Sequence, residues 1–178
     1  MSESSGNVSK DFIVPSVVLT AICAVAAAAM VCTYQVTKPI IDLNTKAAAD
    51  AARAEVYAGV AGFEQLSVEG FENCSEVYKT TGGEGYVFTT TGKGFGGDIQ
   101  VMTAISQDGK VVGVKVLEHE ETPGLGSRAT EQSYLEQYLG KDSSLSGVTY
   151  IAGVTYSSRG VNDAVSTAFE VFETVKGQ

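Results

Sequence analysis

The chain is poor in the residues that build metal and redox centres. Cys23, Cys32 and Cys74 are its three cysteines, and the first two lie in an apolar run while only Cys74 is in the polar part. Neither an intradomain disulfide framework nor a four-ligand zinc site can be assembled from them. Oxidising surroundings are permitted by this usage and not indicated by it. His119 is the only histidine in 178 residues, which removes multi-His metal sites and any Ser-His dyad elsewhere in the chain. Positive charge is also scarce. Lys+Arg 12 against Asp+Glu 21 gives a formal net charge of -9, and with no basic footprint nucleic acid is excluded as a partner. Internal repeats, low-complexity stretches and a second globular domain boundary are missing as well. A hydrophobic content of 44% is that of a folded chain, long enough for one modest domain and an appendage.

Charge is entirely absent between Phe12 and Thr37. This run of roughly 26 residues would extend roughly 39 Å as a helix, enough to cross a bilayer with some tilt. It predicts one transmembrane helix over 12–34, with Pro15 in its first turn and Tyr34 as an interfacial aromatic. A cleaved signal peptide is the rival, because Ala24 to Ala29 is rich in small residues. The apolar run is too long for the core of a signal peptide, and the preceding segment has Lys10 with two acids. Lys10 on one side against Lys38 and Lys46 on the other gives no positive-inside signal. Cys23 and Cys32 are most simply packing residues.

The rest divides into an untethered tail over 1–11 ahead of the transmembrane segment at 12–36, a stalk over 37–62 and one domain over 63–178. Thr37-Lys38-Pro39 reads as a fresh helix start, and the alanine-rich stretch from Ala47 carries that helix to about residue 58, before Gly59 and Gly62. From Cys74 to Glu121 the period changes. Ser75 to Thr80, Gly85 to Thr90, Asp98 to Ser106 and Lys110 to His119 read as strands, with Asp108-Gly109 as a hairpin turn. Val112, Val114 and Val116 alternate with Gly113 and Lys115, predicting one buried face. The fold class is therefore α+β: an antiparallel sheet of about four strands flanked by helices.

Glu121-Thr122-Pro123-Gly124-Leu125-Gly126 cannot continue a strand and predicts a shaped loop. A helix from Ser127 to Leu139 follows, with Ser127 as N-cap and Gly140 as stop. Gly147 to Ile151 is expected to return to the sheet. Val161, Ala164, Val165, Ala168, Phe169, Phe172 and Val175 then recur at helical spacing.

Thr155 stands at the mouth of that last helix, where exposed amides and the helix dipole favour an anion. A hydroxyl at such a place is ordinarily a cap or turn residue. Its neighbours add chemistry: Gly153 lets a bulky group approach, Ser157 and Ser158 bring hydroxyls, and Arg159 brings a permanent charge. Gly94-Phe95-Gly96-Gly97 is not a dinucleotide fingerprint, since neither the spacing nor a βαβ unit accompanies it, and it reads as a hairpin or bulge, with a surface loop near a cofactor or partner as the alternative. His119 is read as a surface residue, and Glu118, Glu120 and Glu121 as a solvated acidic strand end.

Gly94-Phe95-Gly96-Gly97-Asp98-Ile99, Val116 to Gly126 and Ala152-Gly153-Val154-Thr155-Tyr156-Ser157-Ser158 occur in an order that resembles the membrane-anchored FMN-binding domain. The resemblance is to the G subunits of ion-translocating Rnf electron-transport complexes, with the C subunits of sodium-pumping NADH:quinone reductases related and usually longer chains. It implies an FMN attached covalently to Thr155 through a phosphoester installed by a flavin transferase. It also implies a ring lined by the Glu121 to Gly126 loop, with Thr122 and Leu125 in contact, and a site completed by Gly153, Val154, Ser157, Ser158 and Arg159. Ala152 and Val154 depart from the Ser and Ala usual there. The implied role is an electron relay among the membrane and peripheral subunits of an Rnf-type ferredoxin:NAD oxidoreductase, in the cell membrane with its domain outside the cytoplasm. Besides a C-subunit-like component of a sodium-translocating NADH:quinone reductase, two other readings stand beside it. One is an anchored binding module with no redox role, in which Thr155 is an ordinary cap. The other is a stand-alone flavoprotein reductase, disfavoured because no second cofactor motif is present.

Overall fold

The computed structural model describes residues 5–67 and 70–176, and the first residues of the expected tail lie outside them. The chain divides into two compact units, Met1–Ala47 and Ala48–Gln178. A single helix, α1 (Ser5–Val56), provides the first unit and reaches into the second. It does not restart at Thr37-Lys38-Pro39 as the sequence suggested. Pro15 and Pro39 both lie inside it, because a proline deletes one backbone bond and the apolar and alanine-rich stretches propagate the helix on either side. Ile13–Pro39 is 27 residues long with a mean hydropathy of 2.3 and none of it is buried in the chain, so it is long and apolar enough to cross a bilayer. Its hydroxyls suit that setting. Thr20, Thr33 and Thr37 donate to the carbonyls of Ser16, Ala29 and Thr33, which satisfies them without water.

In the second unit five strands form one antiparallel meander in sequence order: β1 (Phe63–Leu66), β2 (Cys74–Thr80), β3 (Gly85–Lys93), β4 (Asp98–Ser106) and β5 (Val111–His119). Four were expected. The extra strand, β1, is only 4 residues long and pairs Phe63 with Thr80 at the sheet edge, too short to show a period of its own. Val112 is also misread by simple alternation. Ala104 pairs with Gly113 but Ile105 with Val111, so Val112 is the extra residue of a bulge and turns outward at 42% exposure while Val111 and Val114 are buried. A bulge shifts the side-chain period by one.

Both faces of the central strands are covered, which is why β3 is buried along most of its length. On one face lies α3 (Thr155–Val175), burying every apolar position its spacing had marked. Tyr86, Phe88 and Phe172 meet there at ring separations of 5.8–6.4 Å. On the other face the last turns of α1 place Ala52 and Val56 over Val87, Met102 and Ala104. Arg53 is buried beside them, stacked 4.0 Å over the Tyr78 ring and paired with Asp50 and Glu76. A planar cation that stacks and pairs at once suits this position.

Two further expectations fail. The segment after Gly126 is not one helix but a 3-10 turn (Gly126–Thr130), the four-residue α2 (Gln132–Leu135) and a second 3-10 turn (Glu136–Tyr138), broken at Glu131, whose backbone is extended. Ser127 accepts a bond from the Gly124 amide instead of capping a helix. The break lets Ala129, Leu135 and Tyr138 all reach the interior, which a straight helix over the same residues would not. Gly147 to Ile151 forms no strand. Two of its amides go to side chains, Thr149 N–H to Gln137 and Ile151 N–H to Ser158, and Val148 N–H goes to the Leu145 carbonyl, while Gly140 and Lys141 exchange backbone bonds with Val111.

Candidate functional site

The hydroxyl of Thr155 is presented by an uncapped helix. Val154 occupies the N-cap position of α3 with no side-chain acceptor to offer, and the first bond of the α3 ladder runs from the Ser158 amide to the Val154 carbonyl. The amides of Thr155, Tyr156 and Ser157 precede it, at the positive end of the dipole. Gly153 has φ +80° with open space around it, so glycine is required there by backbone conformation. Val154 is buried and Ala152 exposed. The extra bulk of Val154 therefore turns into the core, away from the exposed Thr155.

Ser157 and Ser158 are drawn inward. Ser158 Oγ accepts the Ile151 amide at 3.2 Å, and Ser157 Oγ donates to Glu121 Oε2 at 2.6 Å. Both serines are buried, whereas Arg159 is exposed with no ion pair among the described residues. What α3 offers outward is thus Thr155, Tyr156, Arg159 and the first amides.

Glu121 departs most from its expected setting. Glu118 and Glu120 are exposed, as a solvated strand end should be, but Glu121 is 5% exposed. Its Oε1 accepts the amides of Phe95 and Gly96 at 2.8 and 3.1 Å, and its Oε2 accepts Ser157. A buried carboxylate with three donors is well compensated. The glycines around it make room. A Cβ on Gly94 would collide with Oε1, and one on Gly126 with Oε2. Gly94 to Gly97 closes the expected hairpin, with the Gly94 amide bonded to the Gly97 carbonyl.

Thr122-Pro123-Gly124-Leu125 is a tight turn, closed by the Leu125 amide on the Thr122 carbonyl with Gly124 at φ +76°. Proline second and a positive-φ residue third is the signature of a type II turn. The turn leaves Thr122 exposed and Leu125 53% exposed. His119 is at the surface, its Nδ1 accepting the Glu121 amide.

Sequence reasoning did not single out Phe95 and Tyr156. Their rings lie 6.3 Å apart, and they are 76% and 66% exposed. An aromatic between glycines and another directly after Thr155 are too ordinary to signal a site without the contact. A surface cavity of ≈ 630 Å³ lies beside the Glu121 corner, along Asp98, Gln100, Glu118, His119 and Glu120, and Thr155, Thr122 and Leu125 do not line it.

An antiparallel sheet backed by α3, with glycine hairpin, Pro-Gly turn and Thr155 at one end, has the layout of an FMN-binding domain, and residues 94–170 match the family of that description. The chain belongs to the family of G subunits of ion-translocating oxidoreductase complexes. It is 31% identical to the G subunit of the Na(+)-translocating ferredoxin:NAD(+) oxidoreductase complex of Acetobacterium woodii, over 89% of this chain and 90% of that one. The G subunit of the proton-translocating complex of Clostridium ljungdahlii is 32% identical over 52% of this chain and 55% of its own length. Among solved structures, Shewanella oneidensis NqrC aligns with a TM-score of 0.50 and 25% identity, covering 62% of this chain and 72% of that one.

Proposed function

We propose that the protein is the FMN-carrying, electron-relaying subunit of a membrane-bound ion-translocating ferredoxin:NAD oxidoreductase of the Rnf type, anchored by α1 and carrying FMN as a phosphoester on Thr155. The observation behind the linkage is the exposed Thr155 hydroxyl at the uncapped start of α3, in a chain matching the FMN-binding domain and the G subunits. Bound FMN supplies reversible uptake and release of electrons. The protein's residues position it.

The donor set fits the group. A phosphodiester on Thr155 leaves one negative charge at the amides of the first turn, where the dipole favours it by about 0.3–1 kcal/mol, and Arg159 is available within the next turn. Phe95 and Tyr156 form an exposed aromatic surface for a flat ring, and Leu125 and Thr122 are exposed on the Pro-Gly turn. Because this surface is open, we assign its cover to neighbouring subunits of the complex. Attachment requires a flavin transferase. The Thr155 oxygen bonds to the flavin phosphorus, its proton passes to a base of the transferase, and the bond to the leaving group on phosphorus breaks. The donor must therefore be an activated flavin nucleotide, such as a phosphoanhydride. Placement of the domain outside the cytoplasm belongs to the same reading, by likeness to the family.

The full chain, co-expressed with a flavin transferase, tests the linkage by intact mass and in-gel fluorescence. A flavin-bearing peptide containing Thr155 is expected in the wild type and in Thr155→Ser, and none in Thr155→Ala. An unmodified, folded wild-type chain overturns the covalent reading, and a colourless one leaves Thr155 as an ordinary exposed residue of the first turn of α3.

A further inference from the structure

Glu121 is the buried titratable group that the relay reading leaves unused. Both carboxylate oxygens are taken up inside the protein, by the Phe95 and Gly96 amides on one side and Ser157 on the other. The carboxylate therefore does not reach out to a ligand. It joins two pieces of chain that share no secondary structure: the β3–β4 hairpin loop and the first turn of α3. Phe95 is the outward residue of the first, and Tyr156, between Thr155 and Ser157, is the outward residue of the second. Their rings lie 6.3 Å apart.

Resting on the FMN reading above, we propose that Glu121 is a positioning residue for flavin attachment: by tying the Gly94–Gly97 loop to Ser157 it holds Phe95 beside Tyr156 and fixes the aromatic surface next to the Thr155 hydroxyl. Three further contacts point the same way. Gly94 and Gly126 lack a side chain where one would displace the carboxylate, and Gly96 lies so close to the Glu120 carbonyl that a Cβ would collide. The loop is therefore docked on the Glu120–Glu121 corner along its length. Phe95 itself is 76% exposed, so burial of its own ring does not hold the loop in place.

The chemistry predicts which replacements work. Glutamine keeps an oxygen for the Phe95 and Gly96 amides, and its NH₂ can donate to Ser157 Oγ if the serine hydroxyl turns away. Alanine removes all three bonds and leaves the buried Ser157 hydroxyl and two part-buried amides without their acceptor.

Two measurements on the full chain in detergent decide the matter. Amide exchange of the peptide spanning 94–97 is followed in a Thr155→Ala background, where no flavin is attached. Flavin attachment is followed by mass against transferase and chain concentration in a Thr155 background. Glu121→Ala is expected to speed exchange in the loop about tenfold and to slow the attachment rate constant about tenfold, with the KM for the chain changed less than about threefold; Glu121→Gln is expected to recover both to within about threefold. A merely structural role would instead raise KM in inverse proportion to the folded fraction. Ser157→Ala, which cuts only the α3 side of the tie, is the second variant should Glu121→Ala fold poorly, and it is expected to slow attachment about threefold. Unchanged loop exchange overturns the tie. Unchanged attachment with a loosened loop overturns the positioning role. The exchange arm contains no flavin, so failure of wild-type attachment refutes the FMN reading and the positioning role together while the tie is still judged by itself.

Discussion

At the scale of single residues, the second unusual interior group is Tyr138. Its side chain is fully buried, and its hydroxyl makes no well-formed hydrogen bond among the described residues, with the Tyr134 phenol beside it. Burial, and then the neighbouring Tyr134 phenol, push its pKa well above the ordinary value of 10.0. The unfolded chain gives up this proton near pH 10, while the folded chain retains it. Above that pH the unfolded state holds fewer protons, so stability falls as pH rises, by up to about 1.4 kcal/mol per pH unit from this group. Below pH 10 the phenol is neutral in both states and contributes no slope. Tyr138→Phe keeps the ring and removes the unpaired hydroxyl. It is expected to leave stability at pH 7 unchanged or raised by up to about 1 kcal/mol, and to flatten the alkaline loss between pH 10 and 11. Urea unfolding at both ends of that range reads the difference; a cost above about 1 kcal/mol at pH 7 would mean that the hydroxyl does have a partner.

At the scale of elements, the site depends on how closely α3 approaches β3. A Cβ on Gly92 would collide with the Gly160 carbonyl, and one on Gly160 would lie 2.6 Å from the Lys93 carbonyl oxygen and 3.0 Å from the Gly94 amide nitrogen. Thr90 Oγ1 then donates to the Ala164 carbonyl at 2.8 Å one turn further along. Helix propensity alone would favour Gly160→Ala by about 1 kcal/mol. Because the clash is with backbone on both sides, the opposite sign is expected: a loss of about 1–3 kcal/mol in urea unfolding. Val112→Thr, on the outward bulge of β5, should stay within about 0.5 kcal/mol of wild type. A stabilised Gly160→Ala would show that α3 can lift off the strand. The stripe of α3 was legible because its seven spaced apolar positions all face one sheet, and β4 was legible because glycine turns bracket it. The bulge at Val112, the break at Glu131 and the inward turn of Glu121 were not. Each is set by tertiary or cross-strand context, the pairing with Ile105, the core that receives Leu135 and the Phe95 loop respectively, and period or propensity carries no record of such partners. Thr155, Thr122 and Leu125 were readable as exposed loop or helix-end residues. The pairing of Phe95 with Tyr156 needed the fold.

At the scale of the whole molecule, the boundary between membrane-type helix and domain falls within α1, not after it. The units meet between Ala47 and Ala48, and the last turns of the helix are part of the domain's second core layer. Ala52, Arg53 and Val56 are 4%, 5% and 7% exposed. Together they cover Val87, Met102 and Ala104 on the face that α3 leaves open, and Gly113 has no side chain because the Val56 carbonyl occupies its place. A chain beginning at residue 48 keeps this layer; one beginning at residue 63, where the strands start, exposes it. Burial of Val56 and the Arg53 stack is worth about 2–5 kcal/mol, a large share of the margin of a domain this size. The 48–178 fragment is therefore expected to unfold cooperatively in urea and to remain in solution when mixed with phospholipid vesicles. The full chain should float with the vesicles, and 63–178 should melt at a lower urea concentration or aggregate. Flavin attachment by the transferase should persist in 48–178, since every residue placed around Thr155 lies within it. Equal stability of the two fragments would detach the last turns of α1 from the domain, and vesicle binding by 48–178 would remove α1 as the sole anchor.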